Sequence, residues 1–224
     1  VRRFGPGAVN VIPAPGAFSL AAARMGWPLA KIRCLTVHGR PLEAVTLYLA
    51  PWQRLLILSW DGATPDKLAK LLKAQGYGPS PMTVFGNMGG NKETRLEGVA
   101  QKWAHKKAPD LNAVAVECVA GKDAVLLPRV PGLAEDCFEH DGLITKREVR
   151  AATLARLMPL PGQVLWDVGA GSGAIGIEWL RAEPIARAVA IEMNKKRLAF
   201  IARRAAALGV PRLKIIEGTA PDVL

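Results

Sequence analysis

The residues best suited to bind a small molecule form a glycine-rich segment, D-V-G-A-G-S-G, at residues 167–173. Glycines permit tight turns and let the backbone approach a ligand closely. One carboxylate, Asp167, lies two residues before the first of these glycines, and a second, Glu192, follows 25 residues after Asp167. A carboxylate at such a spacing can accept hydrogen bonds from both ribose hydroxyls of a nucleoside ligand. We therefore predict a nucleoside-cofactor site that comprises Asp167, Gly169, Ala170, Gly171, Ser172, Gly173 and Glu192.

The hydrophobic pattern around these residues predicts the elements that position them. Strands are predicted at residues 164–168, 188–192 and 213–217, and helices at residues 148–157, 174–181 and 195–208. A strand that leads into a glycine loop and a helix, followed by a second strand, is typical of a doubly wound parallel sheet. Such sheets bind ligands at the carboxyl ends of their strands. Both predicted carboxylates end a strand at that edge.

The first part of the chain also has an α/β pattern. Strands are predicted at residues 55–59, 82–85 and 113–119. A helix is predicted to begin at Thr64, with Thr64 as its cap and Pro65 at its first position, and to end at Gly76. Four apolar residues at helical spacing predict a further amphipathic helix over residues 96–103: Leu96, Val99, Ala100 and Trp103. Alternating strands and helices predict an α/β unit.

The boundary between the two units is predicted near residue 130. Residues 127–132 read L-P-R-V-P-G, and an acidic stretch follows at residues 135–141. Proline, glycine and charge in this arrangement are typical of a linker. The opening V-R-R-F-G-P-G and the closing T-A-P-D-V-L are typical of positions inside a domain. We therefore expect two incomplete domains, at residues 1–128 and 129–224.

The composition restricts the class of protein. Half of the residues are hydrophobic, which excludes a disordered chain. The net charge of +11, from 30 Lys and Arg against 19 Asp and Glu, favours an anionic partner. Three cysteines without C-x-x-C spacing argue against a disulfide scaffold or a zinc site and are typical of a reducing, cytoplasmic compartment. No stretch approaches the roughly 20 apolar residues of a membrane span, so no membrane partner is expected.

The glycine segment by itself fits a dinucleotide site, an S-adenosyl-L-methionine (SAM) site or a purely structural turn. Loops that bind NAD more usually read G-x-G-x-x-G, whereas Gly173 follows Gly171 by two residues here. The segment, together with A-I-E at residues 190–192, resembles the class I SAM-dependent methyltransferases. This resemblance implies SAM as the cofactor.

The flanking segments resemble the decarboxylating precorrin methylases of corrin biosynthesis. They read G-L-I-T-K-R-E-V-R at residues 142–150 and E-G-T-A-P at residues 217–221. The resemblance implies that Thr145 lies beside SAM and Ala220 beside its adenine. Thr219 stands where these methylases usually have an Asp.

Residues 1–128 resemble the tetrapyrrole methylases. The resemblance is carried by residues 11–28, which include I-P-A-P-G and A-A-A-R-M-G-W-P, by T-V-H-G-R-P at residues 36–41, and by N-M-G-G at residues 87–90. It implies that the SAM-binding residues include Pro13 and Met88. As a hypothesis from the residues themselves, His38 could orient a substrate carboxylate with Arg40. For His38, a structural role through a hydrogen bond to the backbone remains an alternative.

In this order, the two units resemble the halves of the fused precorrin methyltransferases of cobalamin biosynthesis. The implied fold is a partial tetrapyrrole-methylase α/β domain followed by the first half of a Rossmann-like class I methyltransferase domain. The resemblance implies methylation of carbon 5 by the first unit, and methylation of carbon 15 with decarboxylation of the ring C acetate by the second. The substrate is a tetrapyrrole with many carboxylates, which suits an excess of Arg and Lys. The resemblance implies no bound metal. The sequence is compatible with a homo-oligomer.

Two other classes of protein remain open. The charge of +11 also favours a SAM-dependent RNA or protein methyltransferase, but aromatic residues make up only 6% of the chain, and its basic residues are scattered. RNA recognition usually relies on exposed aromatics. A non-enzymatic nucleic-acid-binding module is disfavoured because two carboxylates beside the glycine loop would repel phosphate. We therefore expect no nucleic-acid partner.

Overall fold

The computed structural model describes residues 3–10 and 12–223 and contains two sheets. They lie on either side of the predicted boundary near residue 130, and each has its own hydrophobic core. The predicted α/β class is confirmed. Val11, which opens the predicted motif at residues 11–28, is outside the described residues. None of the described helices has the length and apolar character needed to cross a bilayer.

The first sheet is mixed. Its strands are β1 (Ile32–Thr36), β2 (Arg54–Leu58), β3 (Pro81–Gly86), β4 (Thr94–Val99) and β5 (Asn112–Glu117), and the helices around it are α1 (Ala17–Met25) and α2 (Thr64–Ala74). The strand order is β1-β2-β5-β3-β4; β1 and β2 are parallel and the other pairs are antiparallel. Three predicted strands, at residues 55–59, 82–85 and 113–119, are observed as β2, β3 and β5. The sequence analysis missed α1 and β1.

The second sheet is parallel, with the order β6-β7-β8. Its elements are α3 (Arg147–Leu157), β6 (Val164–Val168), α4 (Ala174–Ala182), β7 (Arg187–Glu192), α5 (Lys195–Ala207) and β8 (Lys214–Glu217). Every predicted strand and helix of this unit is observed to within one residue at each end. The central strand β7 is an almost continuous buried run, as expected for a parallel strand covered on both faces.

Two local predictions in the first unit are wrong. The predicted helix over residues 96–103 is the strand β4, which pairs with β3 along its whole length and is followed by a short 3₁₀ turn. The two-residue period of a strand was hidden because Gly98 has no side chain where the ring of Trp103 packs. The predicted cap is also wrong: α2 begins at Thr64 itself, whose Oγ1 accepts from the N–H of Asp61 at 3.2 Å.

The segment around residue 130 packs on α4 instead of forming a free linker. Arg181, which is 2% exposed, donates from Nη2 to the carbonyl oxygens of Leu127 and Pro128 at 3.1 and 3.2 Å. In return, Arg129 donates from Nε and Nη2 to the carbonyl oxygens of Arg181 and Ala182, both at 3.0 Å. The segment around residue 130 and the end of α4 thus each donate guanidinium hydrogen bonds to the backbone carbonyls of the other.

A buried ion pair fixes the next stretch of chain. Glu178 on α4 accepts from the backbone N–H groups of Gly132 and Leu133, both at 2.8 Å, and from Nε of Arg150 at 3.0 Å. Both charged side chains are almost completely buried, at 2% and 0% exposure. Arg150 also donates from Nη1 to the carbonyl of Thr145 at 2.6 Å. The pair therefore links α3 and the segment before it to α4.

Removing one charge of this pair should destabilise the protein strongly. Glu178→Gln leaves Arg150 buried without a counter-ion, so we expect a loss of about 3–5 kcal/mol in the free energy of unfolding. Urea denaturation monitored by circular dichroism measures this loss. Asp66→Asn, which removes the exposed pair with Lys70, is the control and should cost less than about 0.5 kcal/mol. Equal losses in the two variants would contradict this account.

Candidate functional site

The glycine segment forms a tight loop between β6 and α4. Gly169, Gly171 and Gly173 have φ angles of +71°, +58° and +71°. Residues with a Cβ rarely adopt these angles, so the loop requires glycine at all three positions. A Cβ built on Gly169 would contact nothing within 4 Å, which shows that this part of the backbone borders open space.

Glu192 joins this loop to the end of β7. Its side chain is buried, with 4% exposure. Oε2 accepts from the N–H of Gly171 at 2.8 Å, and Oε1 accepts from the N–H of Asn194 at 2.9 Å. Each carboxylate oxygen can accept more than one hydrogen bond, so acceptor capacity for ligand hydroxyls is left.

Asp167 connects β6 to the first turn of α4. Its Oδ2 accepts from the N–H of Gly176 at 3.0 Å. Burial raises the pKa of Asp167 to about 6, and the hydrogen bond from Gly176 only partly opposes this rise. The carboxylate therefore supports the loop from the side of α4, where it accepts from one of the otherwise unpaired N–H groups at a helix N-terminus.

A cavity of about 790 Å³ opens beside the loop, at the carboxyl ends of the parallel strands. This volume is within the range of small-molecule sites, and its position is where doubly wound sheets bind ligands. Its walls come from the ends of β6 and β7, the start of α5 and the segment after β8: Val168, Gly169, Ile191, Glu192, Met193, Asn194, Lys195, Arg197, Gly218, Thr219 and Ala220.

The structure brings together some of the predicted residues of the second unit. Gly169, Glu192 and Ala220 line the same cavity although they are far apart in the sequence. The rest of the loop lies next to it: Ala170, Gly171, Ser172 and Gly173. Thr145 is not among the residues that line this cavity; it is exposed, in the segment before α3, and its place beside SAM stays a prediction.

Two cationic wall residues were missed by the sequence analysis. Lys195 and Arg197 lie in the first turn of α5, which is capped by Asn194: its Oδ1 accepts from the N–H groups of Lys196 and Arg197 at 2.9 and 3.3 Å. Their position directly after the acid that ends β7 could have indicated them. Any residue in that turn lies at the same edge of the sheet.

The predicted residues of the first unit are divided among several cavities. His38 and Met88 line one of about 480 Å³, together with Trp60, on whose ring His38 stacks at 5.3 Å between centroids. Arg40 instead lines neighbouring cavities of about 630 and 270 Å³. Pro13 is in the exposed segment before α1. The smaller of the two cavities that Arg40 lines shares the wall residue Trp60 with the cavity of His38, and the contact of both side chains with one substrate carboxylate stays a prediction.

Among residues 3–10 and 12–223, no group of three His, Cys, Asp or Glu side chains is arranged to hold a metal ion. The three cysteines are free thiols, and burial raises the pKa of Cys118 to about 12. Within the described ranges, the charged groups that line the cavity beside the glycine loop are thus one carboxylate, Glu192, and two cations, Lys195 and Arg197. This set suits a nucleoside ligand better than a metal.

Comparison with known proteins gives concordant matches. Residues 136–224 match a family described as the precorrin methyltransferase domain. The chain is 45% identical over 223 residues to a precorrin-6Y C(5,15)-methyltransferase (decarboxylating) of Sinorhizobium sp, a match that covers 100% of this chain and 54% of the relative. It is 40% identical over 226 residues to the protein of the same name from Mycobacterium tuberculosis, with 99% and 55% covered.

A shorter relative matches part of the chain. A probable cobalt-precorrin-6B C(15)-methyltransferase (decarboxylating) of Pyrobaculum calidifontis is 36% identical over 98 residues, which are 42% of this chain and 50% of the relative. The two relatives from Sinorhizobium sp and Mycobacterium tuberculosis are matched by essentially the whole of this chain, which spans about half of their length.

Replacing Asp167 should change how stability depends on pH. Because the pKa of Asp167 is raised to about 6, the folded protein holds a proton here between about pH 4 and 6 that the unfolded chain has released. The wild type loses the stability that this proton contributes as the pH rises through that window. Asp167→Asn has no titrating group at this position, so its free energy of unfolding lacks this fall. Relative to the wild type, the variant should gain on the order of 2–3 kcal/mol between pH 4 and pH 7 in urea unfolding. A difference that stays constant with pH would contradict this assignment.

Proposed function

Because the chain belongs to the family of the precorrin-6Y C(5,15)-methyltransferases, about half of whose length it spans, we propose that it forms part of such an enzyme. The enzyme transfers methyl groups from SAM to carbons 5 and 15 of a precorrin macrocycle and decarboxylates the ring C acetate, in cobalamin biosynthesis. The observation that carries the proposal is the cavity beside the glycine loop, where Gly169, Glu192 and Ala220 meet.

The residues of this cavity fit the adenosine part of SAM. Glu192 has acceptor capacity for the two ribose hydroxyls. Ala220 and Thr219 form an uncharged wall suitable for the adenine, and the bare backbone at Gly169 allows close approach of the remaining part. When bound, SAM supplies a methyl group that is activated by its sulfonium charge. The family resemblance adds Thr145 and the remaining residues of the glycine loop to this proposed site.

The chain's own contribution to the chemistry is positioning. A reduced tetrapyrrole has electron-rich carbons, so holding the two reactants in line accounts for much of the rate enhancement. The loop is held rigid by the hydrogen bonds from Gly171 to Glu192 and from Gly176 to Asp167. The surplus of Arg and Lys supplies charge-assisted partners for the substrate's carboxylates. Methyl transfer of this kind requires no nucleophilic side chain.

We assign the carbon 15 methylation and the decarboxylation to residues 129–224, and the carbon 5 methylation to residues 1–128. The match of residues 136–224 to the precorrin methyltransferase domain supports this division. In the first unit we propose that Pro13 and Met88 bind SAM and that His38 and Arg40 contact a substrate carboxylate. Three free cysteines support a reducing, cytoplasmic location.

Replacing Glu192 should weaken SAM binding. Glu192→Gln removes the charge that strengthens hydrogen bonds to the ribose, so we expect a loss of about 1.5–3 kcal/mol of binding free energy by calorimetry. Glu183→Gln is the matched control, because Glu183 follows α4 at the opposite edge of the sheet and does not line the cavity. Equal affinity for SAM in wild type and Glu192→Gln would remove this residue from the site. Thermal unfolding of both variants checks that they are folded.

Blocking the cavity beside the glycine loop, and nothing in the first unit, should stop the reaction after one methylation. Gly169→Arg places a long side chain in the space that borders Gly169, so the complete polypeptide should release a singly methylated product that keeps the ring C carboxylate. Mass spectrometry of the product measures both changes. The matched control is Gly162→Arg, which has a similar positive φ of +82° and open surroundings but lies before β6, away from the cavity. A decarboxylated, doubly methylated product from Gly169→Arg would exclude this division of the reaction.

A further inference from the structure

Three arginines of α5 bind the segment that precedes α3. Arg197 donates from Nε to Oδ2 of Asp141 at 2.9 Å. Farther along the helix, Arg203 donates from Nε to the carboxylate of Glu139 at 3.1 Å. The next residue, Arg204, donates to the carbonyl of Cys137. Two acids of one short segment are thus paired with two arginines of one helix.

The two ion pairs differ in their position. Arg197 lines the cavity beside the glycine loop, whereas Arg203 lies farther along α5. The side chains of Arg197 and Asp141 are 22% and 28% exposed, against 56% and 36% for Arg203 and Glu139. Solvent therefore screens the charges of the Asp141–Arg197 pair less than those of the outer pair.

The charge of Arg197 matters because the cavity wall contains few charges. Besides Arg197, the charged side chains of its wall are Glu192 and Lys195, and Lys195 lies 3.6 Å from Glu217 in a largely exposed pair. Without Asp141, Glu192 would be the one carboxylate left in the described part of the cavity wall to offset the positive charge of Arg197. Such a charge repels a cationic ligand over about a Debye length, roughly 8–10 Å.

We propose that Asp141 is a specificity-determining residue of this cavity: it holds Arg197 in the wall and neutralises it, so that the site accepts a cofactor that carries a sulfonium charge. The proposal rests on the function proposed above, in which SAM occupies this cavity. The hydrogen bond from Arg197 lowers the pKa of the Asp141 carboxyl from its ordinary value, so the neutralising charge is present at neutral pH.

The test compares binding of SAM with binding of S-adenosylhomocysteine, which has the same adenosine but lacks the methyl group and the sulfonium charge. Calorimetry on the complete polypeptide gives both affinities, and the quantity compared is the affinity for SAM divided by the affinity for S-adenosylhomocysteine. Asp141→Asn should lower this ratio in favour of S-adenosylhomocysteine by about two- to four-fold, the size of a charge interaction at roughly 10 Å in a well-solvated site. Arg197→Gln, which leaves Asp141 unpaired, should shift the ratio in the opposite direction.

The double variant and a matched control separate charge from structure. Combining Asp141→Asn with Arg197→Gln removes both charges and should return the ratio to the wild-type value. Glu139→Gln, which breaks the neighbouring pair with Arg203, should leave the ratio unchanged. Raising the salt concentration should diminish the shifts in both single variants.

The outcomes distinguish this inference from the proposed function. If Asp141 acts only by holding the segment in place, both single variants weaken both ligands equally and the ratio stays constant, which overturns the inference. A ratio that falls equally in Asp141→Asn and Glu139→Gln would also overturn it. If the wild type binds neither ligand, the proposed function itself fails.

Discussion

The carboxylate of Glu192 is the group on which the candidate site depends, because it ties the glycine loop to the turn after β7. It adds side-chain contacts to the backbone hydrogen bonds that Gly169 and Ala170 donate to the carbonyl of Ile191. One oxygen accepts from the glycine loop at Gly171 and the other from the turn at Asn194. A buried carboxylate is costly unless it is hydrogen-bonded, so these two backbone donors are held in fixed directions. The same contacts shape the edge of the cavity and leave acceptor capacity for a ligand.

Helix α4 transmits this constraint to the rest of the second unit. Its first turn donates to Asp167 beneath the loop, and its middle carries Glu178, which binds the segment that precedes α3. A shift of α4 would therefore disturb both the loop and the Arg150 pair at once.

The two units solve the placement of polar groups differently. In the second unit all three strands are parallel, so their carboxyl ends meet at one edge and the functional residues gather there. In the first unit the strands beyond the pair β1–β2 are antiparallel, and their ends alternate between opposite edges. His38 and Arg40 are close in sequence yet line different cavities, while His38 shares its cavity with Met88 from beyond β3.

The sequence by itself determined the elements of the second unit and the core of its site. A buried strand, glycines at positive φ and an acid at the end of the next strand are each encoded within a few residues, so the cavity around Gly169 and Glu192 was predictable. In the first unit the same reasoning failed for residues 96–103, where Gly98 concealed the strand period. Tertiary structure alone decided the pairing of Asp141 with Arg197, and of Arg150 with Glu178, 56 and 28 residues apart. Such contacts depend on how folded elements pack against each other, and no local preference for helix, strand or turn specifies them.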